Sequence, residues 1–212
     1  MARMTDVTEL RDHWYWRPGW RAGRSFYTWH ITFADSPAVV DLGQQYAAAL
    51  ADLPEYDPIP LRWLHLTMQG IGFTDETERR TIDQIVEAAR GRLAAIPPVD
   101  ITIGPAQIDT EALKLPVQPV EALTGIRDAI RTAIADVRGE DNVTESPDYR
   151  PHVSIGYTNT TGPARRAVES LARHTPRTTQ MTVEAVALID LNRDHKMYQW
   201  TTVAEAQLGG HR

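Results

Sequence analysis

Apolar and polar positions alternate along Tyr27 to Phe33. Tyr27, Trp29, Ile31 and Phe33 share one face, and Thr28, His30 and Thr32 take the other, the period of a strand. The period then changes. After Ser36-Pro37, which suit a helix start, Val39, Leu42, Tyr46, Leu50 and Leu53 recur at helical spacing. A loop from Pro54 to Pro60 leads to the run Leu61 to Phe73, short, apolar and closed by glycines, which predicts a buried strand. Asp75-x-x-Glu78 has the form of a capping box before a stripe of Ile82, Ile85, Val86, Ala89 and Leu93, and Pro97-Pro98 ends that helix. Val99 to Gly104 and Gln107 to Leu115 read as strands. A third helix carries Leu123, Ile126, Ile130, Ile134 and Val137 and stops near Gly139. Tyr149 to Tyr157 reads as another buried strand. Gly162-Pro163 opens a short helix reaching about Arg173, and Met181 to Leu191 with Met197 to Val203 reads as a closing hairpin.

Strands and helices mix without regular β-α-β spacing, so the expected class is α+β with largely antiparallel sheets and helices outside. The strands Leu61 to Phe73 and Tyr149 to Tyr157 divide the chain into similar halves, each strand preceded and followed by a helix. This is a bilobal internal duplication, expected to set two sheets face to face across a central groove. Residues 1–26 form an irregular arm and residues 27–212 a single bilobal domain.

Composition narrows the classes. With 212 residues and 42% hydrophobic content the chain can bury a real core. It has no cysteine, which removes disulfides and thiolate metal sites. The first residues lack an apolar targeting stretch and no run approaches a membrane span, so the expected location is cytoplasmic, away from membranes. A net charge of −6 argues against coating nucleic acid through a bulk basic field. A small site for the end of a nucleotide or RNA remains allowed.

The candidate chemistry lies on the two dividing strands. His65-Leu66-Thr67 and His152-Val153-Ser154 both read histidine, aliphatic, hydroxyl, followed by Gly70 or Gly156. Alternation puts each imidazole and its hydroxyl on one face. Two such strands facing each other supply a base, an acid and two hydroxyl donors around one phosphate. His30-Ile31-Thr32 has the same spacing and is the competing choice for the first motif, but it lacks the following glycine and lies 122 residues from His152; otherwise His30 is a residue lining the groove. Arg150 alternates with His152 and either holds a substrate phosphate or is a solvated strand-start arginine. The arm is rich in Trp and Arg. Trp14, Arg17, Arg21 and Arg24 suit bases and phosphates, and packing of the arm onto the body is the competing reading. His13, His174, His195 and His211 fall in loops or ends and receive no role. No histidine–carboxylate cluster flanks the motifs, so neither a metal nor another cofactor is expected.

His65-Leu-Thr-Met and Pro151-His-Val-Ser-Ile resemble the paired signatures of the two-histidine (2H) phosphoesterase superfamily, which includes bacterial 2′-5′ RNA ligases and cyclic phosphodiesterases. The resemblance spans the element order from about Tyr27 to Val203. It implies two lobes with the motifs facing across a groove. It also implies metal-independent hydrolysis of 2′,3′-cyclic phosphates or 2′-5′ joining, with His65, Thr67, His152 and Ser154 catalytic. The implied partners are RNA ends or nucleotides bearing a cyclic phosphate, with no obligatory protein partner. A catalytically silent RNA or nucleotide binder using the same groove is the alternative. The Trp-rich arm lies outside the family pattern, and Ser154 stands where threonine is commoner.

Overall fold

The computed structural model describes residues 7–144 and 148–209. The arm is not wholly irregular. Glu9–Leu10 (β1) pairs with a two-residue strand far along the chain, and Leu10 is buried. Ser25–Thr32 (β2) follows, then the helix Pro37–Ala51 (α1). Ser36 stands at the helix start, but its hydroxyl points to the Met181 sulfur at 3.6 Å instead of capping the helix. Tyr56–Pro58 (β3) and a single tight turn, Leu61–Trp63, precede His65–Phe73 (β4). The expected strand from Leu61 is therefore shorter, and it begins at the histidine itself.

Arg79–Leu93 (α2) buries the five residues of its stripe. The expected capping box does not form. Glu78 takes the cap position without a side-chain bond, and Asp75 is held by Arg21 and Arg24. Val99–Ile103 (β5) is next. The expected strand Gln107 to Leu115 is instead a tight hairpin of Gln107–Ile108 (β6) and Ala112–Gln118 (β7). Val120–Arg138 (α3) lies along α2, joined by the Arg92–Asp136 ion pair. His152–Thr158 (β8), Gly162–Pro163 (β9) and Arg165–Ala172 (α4) follow. Gly162 and Pro163 therefore do not open the helix. They form the strand that receives β1.

The last expected strand, Met181 to Leu191, is two. Thr179–Val183 (β10) and Ala185–Asn192 (β11) part at Glu184 and join different sheets. Gln199–Gln207 (β12) closes the chain. One sheet runs β12-β11-β2-β4 and the other β10-β5-β7-β8-β3, with β6 on β7. All pairings among the described strands are antiparallel. The class is α+β, with four helices among the described residues. One continuous core links both sheets and all four helices, from Trp29 and Phe33 through Leu66, Ile85 and Leu115 to Ile130 and Val153. No described helix is long and apolar enough to cross a membrane.

The glycines after the two motifs have packing reasons. A Cβ on Gly70 would stand 2.8 Å from the Phe26 ring, and one on Gly156 would stand 3.0 Å from the Leu50 side chain. Both are closer than packed carbon atoms usually lie, so at these positions glycine lets the Phe26 and Leu50 side chains cross the strands without shifting.

Candidate active site

His65 is the first residue of β4 and His152 the first of β8. Each ring turns back on its own strand entry. His65 Nδ1 lies 2.8 Å from the Trp63 carbonyl, and His152 Nδ1 lies 2.7 Å from the Arg150 carbonyl. A carbonyl oxygen only accepts, so Nδ1 carries the proton in both rings. In the neutral imidazole this leaves Nε2 as a bare lone pair. Both sequence motifs thus reach the same tautomer through the same bond to the residue two before the histidine.

A cavity of about 370 Å³ is lined by both imidazoles together with Thr67 and Ser154. Of the ten candidate residues, these four meet there with His30 and Arg17. His65 is pushed down to about 4 by burial, with the neighbouring His152 adding to the shift and the Trp63 carbonyl opposing it. His152 is lowered by burial and then by Lys114, opposed by the Arg150 carbonyl and by Asp109. Both rings are neutral near pH 7. Thr67 is exposed within the cavity. Ser154 is buried, and the Tyr157 phenol that lines the same cavity has its pKa raised by burial.

His30 sits opposite Thr67 on β2, its Nε2 3.3 Å from the Thr67 hydroxyl oxygen. Its ring lies parallel to that of His65 at 4.5 Å. Arg17 reaches the cavity from the arm, its guanidinium 2.6 Å from Glu111, which also pairs with Arg11. The remaining candidates lie elsewhere. Trp14 is buried against Tyr157 and donates its indole N–H to Asp57 at 3.0 Å. Arg21 and Arg24 are spent on Asp75, and the Arg24 guanidinium covers the Phe73 ring at 3.6 Å. Arg150 is exposed and lines an adjoining cavity of about 720 Å³, which shares His152 and Thr67 with the first.

Lys114 and His13 are among the cavity residues that received no role from the sequence. Lys114 stands opposite Ser154 in register, with its ammonium 3.0 Å from Asp109. Its signal was a single cation in the otherwise uncharged run Ala112 to Gln118, but the register that aims it at Ser154 is not written locally. His13 is buried, stacks on Tyr157 at 4.0 Å and meets the Tyr198 hydroxyl at 3.0 Å. Burial, then Arg17, pushes it down to about 3. An irregular arm gives no period from which this packing could be read. His174, just past the end of α4, bonds the Ser170 carbonyl of that helix, His195 is exposed, and His211 lies outside the described residues. Among the described residues no group of three or more histidines and carboxylates is placed to hold a metal ion.

The family model of the 2′-5′ RNA ligase superfamily matches residues 39–195. The chain belongs to the 2′-5′ RNA ligase superfamily. The two-histidine phosphoesterase resemblance carried by His65-Leu-Thr-Met and Pro151-His-Val-Ser-Ile is thereby a family membership, and the matched span holds both motifs. Solved members of the fold lie at low identity. TT0787 of Thermus thermophilus is 16% identical with a TM-score of 0.66, over 89% of this chain and 100% of that one. E. coli LigT in its apo form is 15% identical with a TM-score of 0.61, over 88% and 99%. E. coli LigT complexed with 3′-AMP is also 15% identical, with a TM-score of 0.62 over 88% and 99%. These likenesses establish the superfamily fold over most of the chain. No curated protein matches it.

Proposed function

We propose that this member of the superfamily is a metal-independent phosphoesterase acting on RNA or nucleotide ends. In this reading it opens 2′,3′-cyclic phosphates or makes and breaks 2′-5′ phosphodiesters, with His65 and His152 as base and acid. The observation that carries the proposal is the matched presentation of two bare Nε2 atoms in one cavity. The ligand of one LigT structure, 3′-AMP, is of the expected class, a nucleotide with its phosphate on a ribose oxygen.

Hydrolysis then follows with its protons accounted for. Water attacks phosphorus in line while one Nε2 takes its proton. The bond from phosphorus to a ribose oxygen breaks on the opposite side, and that oxygen takes a proton from the other imidazole. The second ring must therefore be protonated in the complex. A bound phosphodiester anion favours that charge, since an opposite charge nearby raises an imidazole pKa. Thr67 and Ser154 donate hydrogen bonds to the non-bridging oxygens as charge builds. Lys114 and Arg17 supply positive charge at the cavity wall. Running the sequence backward, with a ribose hydroxyl replacing water, gives the joining reaction. We read the two His strands as the matching halves of an internal duplication that face across a groove, because each is preceded by a helix and opens on its histidine.

The test is turnover of 2′,3′-cyclic mononucleotides and cyclic-ended RNA with and without a chelator, products being read by mass and phosphate position. Opening that is unaffected by the chelator is expected. Saturable binding with no product would reassign the chain to the silent-binder class, and loss of activity in chelator restored by one divalent ion would end the two-histidine mechanism.

A further inference from the structure

Four imidazoles line the cavity, and the proposed chemistry uses two. Of the other two, His13 stacks on Tyr157, and His30, only 2% exposed, presents its nitrogens to very different surroundings. Nε2 meets the Thr67 hydroxyl at 3.3 Å, whereas Nδ1 is buried with no hydrogen-bond partner among the described residues. The ring is packed flat against His65 and edge-on to Trp200, at 4.5 Å and 6.0 Å between centroids.

We infer that His30 is a positioning residue which carries its proton on Nε2 and donates it to Thr67, so that the Thr67 hydroxyl proton is free for the substrate. The argument turns on one proton. Burial, with His65 beside it, keeps the His30 pKa well below the usual imidazole value, so the ring holds a single N–H at neutral pH. Were that proton on Nδ1, a buried N–H would have no acceptor, which folded proteins rarely tolerate. Nε2 would then be a bare acceptor and would draw the Thr67 proton toward itself, away from the cavity. With the proton on Nε2 the buried donor is satisfied. The Thr67 oxygen then receives a hydrogen bond on one side and keeps its own O–H to give on the other. His30 thus adopts the opposite tautomer to His65 and His152, because a hydroxyl that can accept faces its Nε2 while backbone carbonyls face the Nδ1 atoms of the other two. The fixed hydroxyl matters because a donor already aimed at a phosphoryl oxygen costs no reorganisation as charge develops. This step rests on the proposed use of Thr67 as a phosphoryl donor, but the tautomer does not.

The tautomer is read directly. Two-bond proton–nitrogen NMR correlations of the histidine-labelled, substrate-free protein at neutral pH should report Nε2–H for His30 and Nδ1–H for His65 and His152, with the His30 signal assigned by its loss in His30→Gln. An Nδ1–H His30 overturns the inference whether or not the protein turns over any substrate. Activity supplies the second arm, on 2′,3′-cyclic mononucleotides. His30→Phe keeps the ring and removes the donor. It should lower kcat by roughly 10- to 100-fold, less than outright loss of an oxyanion donor. His30→Gln, whose amide N–H can stand where Nε2 stood, should recover most of that loss. In a Thr67→Val background, His30→Phe should cost almost nothing further. Full additivity of the two losses, or wild-type kcat in His30→Phe, would mean that the ring only fills space.

Discussion

At the scale of single residues, the proposed function rests on two imidazoles of one tautomer. His65→Ala and His152→Ala should each lower kcat by on the order of 10²–10⁴, the range for one general acid or base. The double variant should lose less than the product of the two, since both groups serve one transition state. Near-normal kcat in either folded single variant would sink the assignment. The pH dependence follows from the shifts. The base must be unprotonated and the acid protonated, so kcat/KM traces a bell whose limbs are the free-enzyme values of the pair. His65 is held at about 4 and His152 below the ordinary 6.5, so the optimum should fall on the acid side of 6.5. Lys114→Met removes a cation that lowers His152 and leaves Asp109, which raises it, without its ion pair. Both changes favour the imidazolium, so the His152 limb should move to higher pH while the His65 limb stays. A His152 limb that does not move would place Lys114 outside the electrostatics of the pair.

At the scale of elements, the sequence was legible wherever burial imposes a local period. All five stripe residues of α2 are buried, as are Val39, Leu42, Tyr46 and Leu50 of α1, because a helix on a core must show a 3.6-residue pattern. Both motif strands were legible for the same reason, and the family match covers both. What failed depended on distant partners. Nothing near Glu184 says that β10 must leave for β5 while β11 stays with β2. Asp75 has the spacing of a cap, yet two arginines of the arm take it. The arm itself now divides in two by role. Leu10 and Trp14 are buried, and Arg193 donates to the His13 and Tyr15 carbonyls, which ties the segment to the body. Removing residues 1–24 should therefore lower the melting temperature, since it strips apolar cover from Tyr157 and leaves Arg193 without these partners. Arg17→Ala should lower the melting temperature less than the truncation does, since Arg11 still pairs with Glu111, and should raise KM for cyclic-ended RNA more than it lowers kcat. A truncated protein as stable as the full chain, or an Arg17→Ala variant with unchanged KM, would contradict this division of the arm.

At the scale of the whole molecule, the neutral buried imidazoles link activity to stability. His13, His30 and His65 are all held below the ordinary value, chiefly by burial, His13 at about 3 and His65 at about 4. In the unfolded chain the same rings take protons as the pH falls through about 6.5. Between that value and the folded-state values, the unfolded state binds more protons than the folded one, so stability rises with pH across this window and falls on acidification. Each such ring contributes a slope of at most about 1.4 kcal/mol per pH unit. The carboxylates act in the same direction at lower pH. Burial opposes ionisation of Asp109 and Glu111, but Lys114 in one case and Arg11 with Arg17 in the other leave both below their usual values, and that stability is lost only once they protonate. The melting temperature should therefore begin to fall near pH 6.5, where a fold held by ion pairs alone would still be level, and steepen below about pH 4. His13→Gln should flatten the upper window, because it removes one proton acceptor from the unfolded chain while keeping a polar group beside Tyr198. A melting temperature level from pH 7 to 4.5 would mean that these rings are solvated enough to protonate in the folded state. The acid optimum expected of the histidine pair would then move back toward 6.5 with them, so one calorimetric series and one rate profile test the same burial from both sides.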